Sequence, residues 1–237
     1  MTGSRRSGGK GGAPSTFTRV RRLPERGRYD AAAIHAILDA VPSCVVAHVV
    51  DGRPVATPTL QWRIGERVYW HGSVASRMLR TNAAGGDVCL TVYLMDGWVL
   101  ARSAFNHTVN YRAVMVFGRP EIGADADKER VLRVFTEHWF PGRWDALRPV
   151  NRKELGATTV MSMPLDVASA KIRTGGAGDP ARDCAWPVWA GVVPLRHGLG
   201  TPVAEPGLAP GLPRARVTVH GGPRAKRRQG ARPRGRG

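Results

Sequence analysis

The sequence predicts a mainly β fold, an antiparallel barrel with helices at its periphery. Six or seven short runs rich in Val, Ile, Thr, Tyr and Trp are joined by tight turns. Three or four amphipathic segments interrupt them, and 42% hydrophobic composition over 237 residues suffices for one sizeable core.

The elements follow in chain order. Asp30 is a good N-cap, and Ile34, Ile37, Leu38 and Val41 recur at helical spacing until Pro42 closes the segment. His35 lies off that apolar stripe and reads as a surface residue. Residues 43–50 and 55–62 flank the turn Asp51-Gly52-Arg53-Pro54 and read as a hairpin, extended into a meander by residues 67–72. A short helix is expected within residues 73–86, which end in a glycine pair. Residues 87–95 and 98–103, separated by Asp96-Gly97, are expected to form a second hairpin. A long strand over 111–122 precedes the longest helix, 125–140, where Val131, Leu132, Phe135 and Trp139 lie at helical intervals. Two closing strands are read in residues 156–167 and 169–174.

The net charge of +18 is concentrated at the ends. Residues 1–22 hold six Arg or Lys and no acid, and residues 196–237 hold ten against the single Glu205. Only +3 remains for residues 23–195, an ordinary balance for a globular domain. Three regions result: a basic tail over 1–22, a folded domain over 23–195, and a Pro/Gly/Arg-rich tail over 196–237. Both tails lack a hydrophobic period and are expected to be disordered, because they bury too little apolar surface to offset ordering entropy. The run Lys226 to Arg236 could hold a nucleic acid or other polyanion weakly, through counterion release.

No apolar run approaches the roughly 18 residues of a membrane-spanning helix, and no membrane partner is expected. Gly3 to Ser15 lacks the apolar core of a secretory signal, so a cytoplasmic location is expected. Cys44, Cys89 and Cys184 are far apart, without zinc-ligand spacing, and read as reduced, mostly buried thiols. No metal site is expected.

The segment Tyr69 to Arg80 is the richest in chemistry. A strand end delivers His71, Gly72 and Ser73 towards a helix whose start holds Ser76 and Arg77. Hydroxyls, main-chain N–H groups and a guanidinium in one place suit a phosphate. A solvated helix start is the plainer reading of the same residues. No nucleotide-binding loop of the GxxxxGK[ST] or GxGxxG kind is present. His107, in a polar loop, is a weaker cleft candidate, and His48 alternates with apolar neighbours as a barrel or surface residue. No triad, carboxylate pair or metal-ligand cluster stands out.

Taken together, GRYD at 27–30, DGRPVATPTL, VYWHGSVASRML, DGWVLARSAF, HTVNYRAVMVFGRP, EHWFPGRW, SAKIRTG and PVWAGVVPL resemble the pyridoxamine 5′-phosphate oxidase-like split-barrel proteins. The branch with nitroimidazole-resistance proteins is the nearer likeness. The resemblance spans residues 24 to 195. It implies a six-stranded antiparallel Greek-key split barrel, a homodimer, and FMN in a cleft at each side of the dimer interface. Thr57, Pro58, Thr59 and Leu60 correspond to the strand along the isoalloxazine ring. Trp70 and His71 correspond to the strand end beside the ribityl chain, Ser73 to the adjoining turn, and Ser76 with Arg77 to the phosphate grip. Arg112 corresponds to a further cofactor-side arginine, and Trp189 is a candidate for stacking near the ring. Met78 and Ala113 replace a Lys and a Gln of the oxidases, and no pyridoxal-phosphate motif follows Trp189. The expected activity is therefore a flavin-dependent reduction of a small electrophile, a nitro compound or quinone, by a reduced nicotinamide. The alternatives are a non-catalytic flavin-binding or sensor dimer, and polyanion binding through the tails.

Overall fold

The computed structural model describes residues 14–218. Its ten strands and four α-helices run, in chain order, β1 (Gly27–Arg28), α1 (Ala31–Leu38), β2 (Ser43–Val50), β3 (Arg53–Ile64), β4 (Arg67–Ser73), α2 (Arg77–Ala83), β5 (Val88–Leu100), β6 (Thr108–Gly118), β7 (Glu121–Ile122), α3 (Lys128–Trp139), α4 (Arg152–Ala157), β8 (Thr158–Pro164), β9 (Ala168–Arg173) and β10 (Gly191–Pro194). The strand order is β1-β9-β6-β5-β2-β3-β4-β8-β7, every pairing is antiparallel, and β10 joins β5 off this path. This is the expected split barrel with a larger strand number: β1, β7 and β10 are short additions of two to four residues.

Local chemistry sets the first hairpin. Asp51 and Gly52 both adopt positive φ, 49° and 73°, the pattern of a two-residue turn whose twist suits antiparallel strands. That turn fixes the register from Val50 opposite Arg53 to Ser43 opposite Leu60. The Asp30 carboxylate accepts from the Ala33 N–H 2.8 Å away and starts α1 as expected. Ile34, Ile37 and Leu38 then face the main core, which also holds Val46, Trp70, Leu79, Leu90, Val92, Val114 and Met161.

The expected hairpin over 87–103 is instead one thirteen-residue strand, β5. The register against β6 shifts between Met95 and Gly97, so Asp96-Gly97 forms a bulge and not a turn. Two interactions explain it. The Asp96 carboxylate takes both a 2.9 Å bond from Arg112 Nε and a 2.7 Å bond from Arg112 Nη2 on the neighbouring β6. At Gly97 a Cβ would stand 2.8 Å from the Val193 carbonyl of β10, so only glycine admits that strand. The long run over 111–122 breaks at Arg119-Pro120, leaving β7 as a separate two-residue strand on β8.

Helix α4 is not anticipated in the sequence; a capping box starts it, with Asn151 accepting from the Glu154 N–H while Glu154 reaches back to the Asn151 N–H. Residues 14–22, expected within a disordered tail, run in turns against the barrel, with Thr18 buried and the Val20 N–H bonded to the Tyr29 hydroxyl at 2.8 Å. Residues 196–218 carry neither helix nor strand. The Lys226 to Arg236 run lies outside the described residues. All three cysteines are free, but Cys184 is exposed, against the expectation of mostly buried thiols. No helix among the described residues is long and apolar enough to cross a membrane.

Candidate functional site

Strand β3 changes partner along its length. Arg53 to Leu60 pair with β2 on one side, whereas β4 joins only from Gln61, opposite Trp70. The other edge of Thr57, Pro58, Thr59 and Leu60 therefore has no strand beside it among the described residues. Successive residues of a strand turn their main-chain groups to opposite edges; Gln61 bonds towards β2 through the Pro42 carbonyl, so Leu60 and the Pro58 C=O face the open side. An open edge of this kind can bond a flat heterocycle lying alongside.

Where β4 leaves β3, it carries His71, Gly72 and Ser73 towards α2. Ser76 caps that helix with an extended backbone, yet its hydroxyl makes no capping bond. Ser73 Oγ accepts from the Ala75 N–H at 3.2 Å. Arg77 is exposed, and its side chain has no ion pair or hydrogen bond among the described residues. One free hydroxyl, one free guanidinium and the open β3 edge thus leave the same corner of the barrel.

His71 points to the opposite face of β4 from Trp70. Its ring lies 5.6 Å from Trp62 and 5.9 Å from Phe135, in the small apolar cluster beneath α3. Its Nδ1 is buried without a partner. Burial pushes its pKa below the ordinary histidine value, so the neutral imidazole is favoured. Trp70, by contrast, is fully buried in the main core and sits between β3 and β8, which makes it a packing residue.

A cavity of about 460 Å³ opens on the other side of Leu60. Its walls come from the α1–β2 turn (Val41, Pro42, Ser43), from β5 (Tyr93 to Asp96), and from the end of α3 (Phe135, Trp139, Phe140). The chain after β10 completes it, with Leu195, His197, Leu199, Val217 and Thr218. Phe135 is shared with the His71 cluster. The lining is mainly apolar, and its charged members are Asp96 and Arg112, bonded to each other. Asp96 holds the Arg112 guanidinium pKa above its usual value, through the hydrogen bond first and the Coulomb attraction after desolvation.

Leu60 and Arg112 are the two expected site residues brought together in this cavity, and Thr57, Pro58 and Thr59 run up to it. Ser73, Ser76 and Arg77 stand at the start of α2. Trp189 is 63% exposed, just before β10, and lines no part of the cavity. His107 is exposed with Nδ1 2.8 Å from the Ser103 carbonyl, and it too lies off the cavity. Tyr93, Met95, Phe140 and His197 were not anticipated, since a wall joining residue 95 to residue 197 leaves no local sequence pattern. A second cavity of about 200 Å³, between β7, β8 and α3, contains the Arg67 and Glu121 ion pair and none of the expected residues. No cluster of metal-ligating side chains occurs among the described residues.

An antiparallel split barrel with an open β3 edge, a hydroxyl and arginine corner and an adjoining apolar cavity defines a cofactor-binding class of fold. Residues 30–172 match the family model described as pyridoxamine 5′-phosphate oxidase. The chain belongs to that family of flavin-binding split-barrel proteins. Among solved structures it is similar to a flavocytochrome from Azotobacter vinelandii, at 45% identity over 85% of this chain and 94% of that one, with a TM-score of 0.81. It is also similar to an FAD and heme binding protein from Mycobacterium smegmatis, at 37% identity over 80% and 93% of the two chains, TM-score 0.77. A candidate 5-nitroimidazole antibiotic resistance protein from Bacteroides thetaiotaomicron shares the fold, at 18% identity over 62% and 86%, TM-score 0.52. No curated sequence matches the chain.

Proposed function

We propose that this protein is a flavin-dependent oxidoreductase that also carries a heme, taking electrons from a reduced nicotinamide and delivering them to a small electrophile. The observation that carries the reading is the meeting, at Leu60, of the open β3 edge with the 460 Å³ apolar cavity. That volume lies within the roughly 300–1,000 Å³ of ordinary ligand pockets. The two structures with 45% and 37% identity supply the pairing of flavin with heme.

The residues present suit the flavin. Thr57, Pro58, Thr59 and Leu60 run along the flavin ring, with the main-chain groups of Leu60 and the Pro58 C=O turned to it. The Ser76 hydroxyl and Arg77 guanidinium, both without partners among the described residues, hold its phosphate. Ser73 and His71 adjoin the same corner, and His71 meets the ligand uncharged. Trp70 is dropped from the binding set because the core encloses it. A bound flavin supplies hydride and electron transfer, so the chain needs no triad of its own. The aromatic walls of the cavity exclude water, and its charged wall is the Asp96–Arg112 pair.

The resemblance implies FMN, whereas one similar structure is that of an FAD and heme binding protein. Mass analysis of the released flavin distinguishes the two. The protein works as a homodimer, with Trp189 near the partner's cleft. The test is an absorbance spectrum of the purified protein followed by anaerobic titration with reduced nicotinamide. Flavin bands that bleach and return with a quinone or nitro compound are expected. A colourless protein that gains no flavin spectrum on mixing rejects the reading. Bound flavin that no nicotinamide bleaches makes the chain a non-catalytic flavin-binding dimer instead.

A further inference from the structure

We propose that residues 15–22, packed beside β1 and β9, form with Tyr29 a groove that binds single-stranded nucleic acid. The inference is independent of the flavin reading. Its groove residues precede the family-matched segment, which begins at residue 30.

Charge, shape and an exposed aromatic ring converge there. Arg19, Arg21, Arg22, Arg26 and Arg28 are joined by Lys171 of β9, whose Nζ donates to the Arg22 carbonyl at 3.1 Å. Of these six cations only Arg26 has a carboxylate within ion-pair reach among the described residues, that of Glu25 at 3.7 Å. Arg28 donates to main-chain carbonyls alone, and the side chains of Arg19 and Arg21 have no partner among the described residues. Close to Arg26, Arg173 is 9% exposed and bonds Asn110 and the Gly175 and Gly176 carbonyls, again without a carboxylate. Burial first, and then repulsion by Arg26, lower its pKa from the usual guanidinium value, as expected where positive charge is left uncompensated. A groove of about 870 Å³ runs beside these cations, lined by Ser15, Thr16, Arg19, Arg21, Pro24 and Tyr29. Its wall is held in place: Thr18 is buried, the Ser15 N–H bonds Thr18 Oγ1 at 2.8 Å, and the Val20 N–H bonds the Tyr29 hydroxyl at 2.8 Å. Phe17 is 78% exposed, and its ring leans on that of Phe117, 6.1 Å away.

A cationic groove tracks a phosphate backbone, and an aromatic ring at its side stacks a base; together they define a single-strand site with little sequence preference. A duplex keeps its base faces inside its own stack and leaves Phe17 nothing to stack on. A flat anionic membrane meets the rim of a groove and not its floor. The chain before the groove adds charge of the same sign, since residues 1–22 hold six Arg or Lys and no acid.

The test titrates the full-length protein into fluorescein-labelled oligouridylate and follows anisotropy from about 50 to about 200 mM salt. Binding should weaken with salt and exceed that of a duplex of equal length. The double variant Arg19→Ala/Arg21→Ala should bind more weakly and flatten the plot of log affinity against log salt by about 1.4, the share of two phosphate contacts on a single strand. Phe17→Ala should bind about fivefold more weakly or worse, and Phe17→Tyr should restore the loss, because stacking needs only a ring. All four substituted positions are exposed or lie in one exposed turn, so thermal unfolding should match the parent and verify the fold. A double variant with the parent's affinity and salt slope overturns the groove and leaves any binding to charge elsewhere in the chain. Equal binding of duplex and single strand, with Phe17→Ala unchanged, overturns the stacking assignment. Retention by phosphatidylserine vesicles with no oligonucleotide binding overturns the proposal in favour of a membrane surface.

Discussion

Arg77 and Arg112, two arginines proposed to serve one cofactor, are placed very differently. Arg112 makes two bonds to Asp96, while Arg77 is exposed and its side chain bonds nothing among the described residues. Arg77→Ala should therefore leave stability unchanged and weaken flavin binding by about 1.5–3 kcal/mol, the range for a hydrogen bond to a charged group. Ser76→Ala should cost less, having no charge to lose. Equal flavin affinity of Arg77→Ala and the parent protein, by fluorescence titration, removes the phosphate assignment. His71 carries a pH dependence of opposite origin. It is held neutral in the fold, whereas in the unfolded chain it takes up a proton below about pH 6.5. The unfolded state then binds more protons, so this residue's contribution to stability is intact above pH 6.5 and falls as the pH drops below it. Denaturant midpoints across that range should show a flatter acid limb for His71→Gln than for the parent; identical limbs would show that the ring ionises freely. The Ser76-Arg77 pair stands out in the sequence as a candidate because helix start, hydroxyl and charge lie within a few residues, whereas the cavity wall formed by Tyr93, Met95 and His197 leaves no local pattern because only folding brings those residues together.

At the scale of elements, the hydrophobic periodicity and the turn residues made α1, the β2–β3 hairpin, β4, α2 and α3 legible. They failed at Asp96-Gly97 because the same dipeptide serves a turn or a bulge. The choice was made by Arg112 on one neighbouring strand and Val193 on the other. Sequence reading also passed over Gln61, a polar residue in an apolar run. It is wholly buried, and its Nε2 donates 2.7 Å bonds to both the Leu38 and Val41 carbonyls, while its own N–H reaches the Pro42 carbonyl at 2.6 Å. It stitches the end of α1 to β3 immediately beside the open edge. Gln61→Leu keeps the volume and orphans two carbonyls, each worth about 1–3 kcal/mol when left unpaired in the interior. A loss of about 2 kcal/mol or more in chemical denaturation is expected, with weaker flavin retention as the Leu60 corner loosens. A fully stable Gln61→Leu protein would show that this stitch does not set the corner.

Across the whole molecule, the apolar surface is unevenly distributed. Trp98, Trp186, Val188, Trp189, Val192 and Val193 are between 38% and 68% exposed, and they belong to β5, β10 and the segment leading into β10. A patch of this kind on a chain that can fold its own core marks a surface meant to be covered. A two-fold interface would cover it with the same residues of a second copy, the economical solution for a homo-oligomer. The sequence already separated this stretch from the charged ends, since only +3 of the +18 lies in residues 23–195 and repulsion between two such domains is small. If each flavin is contacted by both copies, binding and association share one free energy: flavin strengthens the dimer, and the dimer strengthens flavin binding by the same factor. Serial dilution of the flavin-loaded protein should then release flavin in step with dissociation, and Trp189→Glu should lower both together. Sedimentation of a fully flavin-loaded monomer at low concentration would reject the shared cleft, because a cofactor held by one copy alone is indifferent to the loss of the other.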